Sequence, residues 1–170
     1  PGIDASQYCS AKLALDLSAR LMPVENLEWI AAVGTILDIT TKSWLPFLEK
    51  VYNELNIPFP ENDDFFHSPL GDVGSVMDSA ICYDVKNTPL CFEVLSKAKL
   101  PTDVINSDLK TFQKEVEDEI NSFIDRFESD AEYFPELELY VYKISPRFKI
   151  KSSISTILGL KYSSKTVIVI

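Results

Sequence analysis

The chain has 170 residues, of which 46% are hydrophobic and 25% charged, and a formal net charge of −10. That composition supports a packed core in one domain or parts of two, and excludes global disorder. The acidic balance argues against a broad electrostatic grip on nucleic acid, but is compatible with a local basic patch or with docking to basic partner proteins.

No apolar run reaches the roughly 20 residues a membrane span needs, and no basic-then-apolar signal opens the chain. The three cysteines, Cys9, Cys82 and Cys91, have no C-x-x-C spacing and read as reduced core thiols. Together these features lead to the expectation of a cytoplasmic protein without a membrane partner. The first residues, Pro1-Gly2-Ile3-Asp4, and the β-branched run Thr166-Val167-Ile168-Val169-Ile170 at the other end read as those of a piece of a larger protein.

Taken in order, the pattern predicts a helix over 6–21, capped by Ser6, with Cys9, Leu13, Leu17 and Leu21 as its inward stripe. A second helix starts near Glu25, with Glu25 and Glu28 in its first turn, where negative charge suits the helix dipole. It is apolar on much of its circumference and carries the small residues Ala31, Ala32 and Gly34, which permit close approach of another backbone. Asp38, the only charge between Glu28 and Lys42, falls at or just past its end. Ser43 is the predicted cap of a third helix, with Trp44, Phe47, Leu48, Val51, Tyr52 and Leu55 inward.

Residues 56–67 carry two prolines and the acids Glu61, Asp63 and Asp64. They read as a surface loop or linker, because the ligand spacing of a calcium loop is absent. Ser68-Pro69 opens a fourth helix to about Ala80, in which Gly71 and Gly74 lower the propensity or let something approach. Thr88-Pro89 opens a fifth, to about Ala98. Thr102 or Asp103 opens a long sixth, whose stripe of Leu109, Phe112, Val116, Ile120, Phe123 and Phe127 is the strongest periodicity in the chain. Its other faces are acidic, as on a solvated helix.

The character then changes. Residues 137–144 read as a strand, 150–160 as a helix and 165–170 as a second strand, a βαβ unit with a right-handed crossover. Arg147, Lys149, Lys151, Lys161 and Lys165 lie here. They read either as solubilising surface or as a phosphate-facing rim, with Ser152, Ser153 and Ser155 adding donors at a helix start. His67, the only histidine, reads as a surface or packing residue. No Gly-rich phosphate loop, G-x-S-x-G or H-E-x-x-H occurs. Asp38 has two readings: a helix-end carboxylate that reaches water, or one at the floor of a polar site where a metal ion or phosphate ligand offsets its burial.

The order of an Ile3-Asp4-x-Ser6 start, a Ser/Ala-rich helix, a second helix ending Gly34-Thr35-Ile36-Leu37-Asp38, a helical connector, and Phe148-Lys149-Ile150-Lys151-Ser152 before the last helix resembles the DHH phosphoesterase superfamily. That family includes RecJ-like single-strand exonucleases and their archaeal relatives. The resemblance implies an α/β fold in three parts: residues 1–56 as the C-terminal part of a DHH-type domain, 57–130 as linker and helical connector, and 131–170 as the start of a DHH-associated α/β domain.

It further implies a hydrolase of DNA replication and repair, acting on single-stranded nucleic acid or short oligonucleotides with Mn2+ or Mg2+, and makes Asp38 a metal ligand. The family's H-x-D-x-D-G motif, its second-motif aspartate, the Asp-His-His triplet and the Gly-Gly-His motif are all absent from this chain. The expectation is therefore a portion of such an enzyme, inactive alone, with no catalytic residue of its own. The alternative is a non-catalytic DHH-like scaffold that binds replication proteins through its acidic helical middle. A third possibility, an unrelated helical interaction domain, predicts that 137–144 and 165–170 do not pair in parallel.

Overall fold

In a computed structural model, the described residues 7–170 form eight α-helices and a three-stranded sheet. The predicted cap Ser6 and the Ile3-Asp4-x-Ser6 opening lie outside them. The chain divides into two compact units, one of Pro1–Met77 with Glu93–Ser107 and one of Asp78–Phe92 with Asp108–Ile170. The fold is helix-dominated and α/β in the broad sense. Among the described residues no helix is long and apolar enough to cross a membrane.

The first unit is built on α1 (Ser10–Ser18), α2 (Glu28–Leu37) and α3 (Leu45–Glu54). Helix α2 buries Trp29, Ala31, Ala32, Val33, Thr35 and Ile36, as its apolar circumference requires. Gly34 lets α1 come close, since a Cβ there would sit 2.3 Å from the Cβ of Ala11. Leu48, Val51 and Tyr52 of α3 are buried as expected. Ser43 is not its cap, however. Trp44 holds that position without a side-chain capping bond, its indole donating instead to the Gln7 carbonyl (2.8 Å), and the Ser43 hydroxyl donates to Gln7 Oε1 at 3.3 Å.

The predicted stripe of α1 is corrected. Leu13, Leu17 and Leu21 are 47%, 53% and 87% exposed, while Cys9, Lys12 and Leu15 are buried. Lys12 tolerates burial because its ammonium meets the Asp16 carboxylate and lies over the rings of Trp44 (4.5 Å) and Phe47 (5.1 Å). Tyr8 also donates its hydroxyl to Asp16. Burial works to raise the Asp16 pKa, but the hydrogen bonds from Lys12 and Tyr8 outweigh it and hold the carboxyl below its ordinary value.

Helix α4 (Pro69–Tyr83) starts as predicted. The Ser68 hydroxyl donates to the Phe65 carbonyl (2.6 Å), so it accepts from Tyr52 (2.5 Å) and from the Gly71 amide (3.2 Å). Gly71 and Gly74 both mark close approach: a Cβ would meet the carbonyls of Phe65 and Phe66 at the first and the Leu37 side chain at the second. Helix α5 covers Thr88–Lys97.

The long sixth helix is two helices, α6 (Pro101–Ile105) and α7 (Lys110–Asp130). Between them Ser107 donates to the Val104 carbonyl and Thr111 to that of Asp108, both at 2.7 Å. Polar side chains thus compete for the backbone where the helix would continue. Asp103 starts α6 by accepting from the amides of Lys99 (2.8 Å) and Leu100 (3.0 Å).

In the second unit β2 (Leu139–Tyr142) and β3 (Thr166–Val169) pair in parallel, with Tyr140 opposite Val167, and α8 (Lys151–Lys161) lies between them in sequence. This is the expected strand–helix–strand unit, and the expectation carried by an unrelated helical domain fails at this point. A further strand, β1 (Glu132–Phe134), pairs antiparallel with β2. All three of its residues are exposed, so it carries no alternation by which to foresee it. Val116 and Phe127 of α7 pack with Tyr142, Ile150, Ile154 and Leu158. Each such buried side chain contributes about 1.5–3 kcal/mol. Glu119 anchors the loop before α8 by accepting from the amides of Arg147 (2.8 Å) and Phe148 (3.1 Å).

Two glycines test this packing. Gly34→Ala should destabilise the chain by about 1–3 kcal/mol in urea denaturation, because the clash with Ala11 outweighs the gain in helix propensity. Gly159→Ala, with no atom within 4 Å of the added Cβ, should stabilise it by about 0.5–1 kcal/mol. The Asp16 carboxyl sits below its ordinary value, so its contribution is present above that ordinary value and is lost as pH falls through the folded one. Asp16→Asn should therefore lower the melting temperature at pH 7, with the difference from wild type shrinking in acid. A constant difference would contradict the assignment.

Candidate functional site

Helix α2 ends in a tight turn that presents Asp38. The amide of Thr40 donates to the Thr35 carbonyl (3.1 Å) and that of Ile39 to the Ile36 carbonyl (3.0 Å), the paired bonds of a Schellman ending. Such an ending needs a left-handed residue just after the cap, a place usually taken by Gly. Here it is Ile39, at φ 55°. For a residue with a Cβ this conformation costs about 1–2 kcal/mol, and β-branching makes it rarer still. The Thr40 hydroxyl adds a bond to the Thr35 carbonyl (3.2 Å), and the Thr35 hydroxyl one to the Ala31 carbonyl (2.9 Å). These extra bonds help hold the turn against the strain.

Asp38 is the cap of this ending and is exposed. It is a carboxylate at the negative end of the helix dipole, where a cation is the favoured neighbour by about 0.3–1 kcal/mol. Among the described residues its side chain has neither a hydrogen-bond nor an ion-pair partner. Leu37 and Ile39 on either side are 41% and 47% exposed. The geometry is that of a solvent-facing helix end and not of a buried floor. Its chemical capability is to offer one carboxylate to a cation from a fixed backbone.

Two other sets singled out in the sequence do not assemble into sites. In the acidic loop, Asp64 pairs with His67 Nδ1 at 2.8 Å with both side chains exposed. Among the described residues no three His, Cys, Asp or Glu side chains stand together in a way that could hold a metal ion.

In the basic segment, Arg147 pairs with Glu115 at 2.8 Å. Lys165 donates to the Tyr133 hydroxyl at 2.9 Å and lies 4.3 Å from that ring's centre. At the start of α8, Ser153 donates to Asp78 at 3.2 Å, so a carboxylate of the chain itself stands where a phosphate would be favoured. Cys82 donates its thiol to the same carboxylate at 3.7 Å. Burial first, and then Asp78, pushes that thiol up to about 11, which keeps it protonated and unreactive near neutral pH.

Residue type alone did not reveal the conformation of Ile39, because Gly-Thr-Ile-Leu-Asp-Ile contains no Gly or Asn at the turn. It also gave no sign of the unpartnered indole of Trp29, whose Nε1 is buried without an acceptor among the described residues. Leaving a buried donor unpaired costs about 1–3 kcal/mol. No protein-family model, curated protein or solved structure matches this chain.

The strain at Ile39 has a direct test. At an ordinary helix position Ala is more stable than Gly, whereas at a left-handed position the order reverses. Ile39→Gly should therefore exceed Ile39→Ala in stability by about 1 kcal/mol in urea denaturation. The ordinary order would show that the turn is not left-handed in solution.

Proposed function

We propose that this chain is a portion of a metal-dependent phosphoesterase of the DHH type, acting on single-stranded nucleic acid or short oligonucleotides, in which Asp38 is one carboxylate ligand. The observation that carries the reading is the presentation of Asp38. An exposed carboxylate stands at the wrong end of a helix dipole, without a partner among the described residues, beside a left-handed Ile39. Both local costs run against folding stability, and strained, over-determined backbone of this kind clusters at ligand sites. The parallel β2–α8–β3 unit after a run of helices also follows the order that the resemblance implies. DNA or RNA as substrate, and the place in replication and repair, rest on that resemblance.

Manganese or magnesium would supply charge neutralisation and an activated water in such an enzyme. The donors of this chain do not by themselves fit a two-ion site, because Asp38 is a single carboxylate with no second ligand beside it among the described residues. No hydrolytic step is therefore assigned to the chain alone.

A non-catalytic scaffold that docks replication proteins is the second reading, and the acidic surface of α7 favours it. That surface is partly committed internally: Glu115 holds Arg147, Glu119 holds two loop amides and Glu128 accepts from Tyr162. Asp125, exposed on the same helix, remains open to a partner.

In the longer protein, with an upstream Asp-x-Asp and Asp-His-His in place, Asp38→Ala should lower manganese-dependent hydrolysis of a single-stranded oligonucleotide by about two orders of magnitude or more. Its thermal stability should stay the same or rise slightly. Unchanged activity would remove Asp38 from the site. The isolated chain should show no manganese-dependent cleavage, and robust cleavage would refute the portion reading.

A further inference from the structure

We propose that Thr40 is the positioning residue of Asp38: its side-chain hydroxyl keeps Ile39 left-handed and thereby fixes where the carboxylate stands. The role rests on the reading of Asp38 as a ligand group, and it is a property of the turn in this chain, with or without a ligand.

Asp38 cannot fix its own position. Its side chain is exposed and has no hydrogen-bond or ion-pair partner among the described residues, so the backbone alone directs it. On the helix side the Asp38 amide donates to the Gly34 carbonyl at 3.0 Å. On the other side stands Ile39 at φ 55°, a conformation that a β-branched residue leaves once it is released. Release would open the paired bonds of the turn and let Asp38 fray with the end of α2. The restraint must therefore come from the residue that follows.

That residue is Thr40. Its amide (3.1 Å) and its hydroxyl (3.2 Å) both donate to the Thr35 carbonyl, so one residue takes both lone pairs of that oxygen. The amide bond is open to any residue except proline, whereas the hydroxyl bond needs Thr or Ser. Thr40 is 6% exposed and Thr35 fully buried, which keeps water from competing for the carbonyl. The acceptor is itself held. The Thr35 hydroxyl donates to the Ala31 carbonyl (2.9 Å) and, its hydrogen thus used, accepts from the Cys9 thiol (3.4 Å). The Thr40 carbonyl in turn accepts from the Ser43 amide at 3.1 Å. Ile39 is strained between two anchored residues, and the Thr40 hydroxyl is the added bond that offsets the strain.

The test uses the full chain without metal or substrate, read by amide relaxation and by urea denaturation. Thr40→Val keeps the shape and removes the hydroxyl, while Thr40→Ser keeps the hydroxyl and removes a methyl group. The amide order parameters of Asp38 and Ile39 should lie near about 0.85 in wild type and Thr40→Ser, and fall below about 0.6 in Thr40→Val. Thr40→Val should also lower the urea midpoint, and by less than half as much in an Ile39→Gly background, where little strain is left to hold. If Thr40→Val does not fold, Ile39→Gly should restore its folding. Unchanged order parameters in Thr40→Val, an equal loss in Thr40→Ser, equal midpoint shifts in the two backgrounds, or failure of Ile39→Gly to restore folding would overturn the role of Thr40. None of these outcomes bears on whether Asp38 meets a ligand, which the Asp38→Ala hydrolysis assay decides separately.

Discussion

The first unit depends on the burial of helix α2. A helix that is apolar on nearly every side, and that meets α1 through Gly34 and Ala11 with no room for a further methyl group, leaves little of its length for chemistry. What it can present, it presents at its ends, where backbone groups and side chains meet water. Asp38 stands at one end and Glu28 at the other. The close packing fixes the axis, and a fixed axis aims both ends. The same packing explains the exposed leucines of α1. Once Ala11 faces α2, that helix turns Lys12 and Leu15 inward and Leu13 and Leu17 outward.

The cost of the Asp38 end is local and can be itemised. A left-handed Ile, a carboxylate opposed to the helix dipole and two exposed apolar neighbours all run against stability. They persist because paired backbone bonds and the hydroxyls of Thr35 and Thr40 hold the turn. A Gly in place of Ile39 would provide the same turn without strain. The β-branched residue restricts the backbone more than a glycine would, at the cost of the strained φ.

Much of the helical framework was legible in the sequence. The stripe of α7, the buried circumference of α2 and the Ser68-Pro69 start of α4 each follow from spacing or capping chemistry acting within a few residues. The parallel pairing of β2 with β3 was legible because two β-branched runs flank one helix-length segment. What was not legible depended on distant partners. Lys12 could be read as buried only by knowing that Asp16, Trp44 and Phe47 converge on it. Strand β1 has three exposed residues and exists only because β2 offers an edge. The break between α6 and α7 depends on Ser107 and Thr111 winning backbone carbonyls from the helix. At the candidate site, the position of Asp38 was readable, but the left-handed turn that presents it was not. In the basic run, Asp78 reaches the start of α8, and Glu115 and Tyr133 engage two of the five cations, pairings that depend on residues far away in the sequence.

The proposal tested most directly is that the end of α2 presents Asp38 to a divalent cation. Its measurement is paramagnetic broadening by Mn2+ in the amide spectrum of the proposed longer protein. The account predicts saturable loss of the Leu37, Asp38, Ile39 and Thr40 amide signals at stoichiometric metal, with those signals retained in Asp38→Ala. Saturation of the metal site with these four signals undisturbed would contradict it.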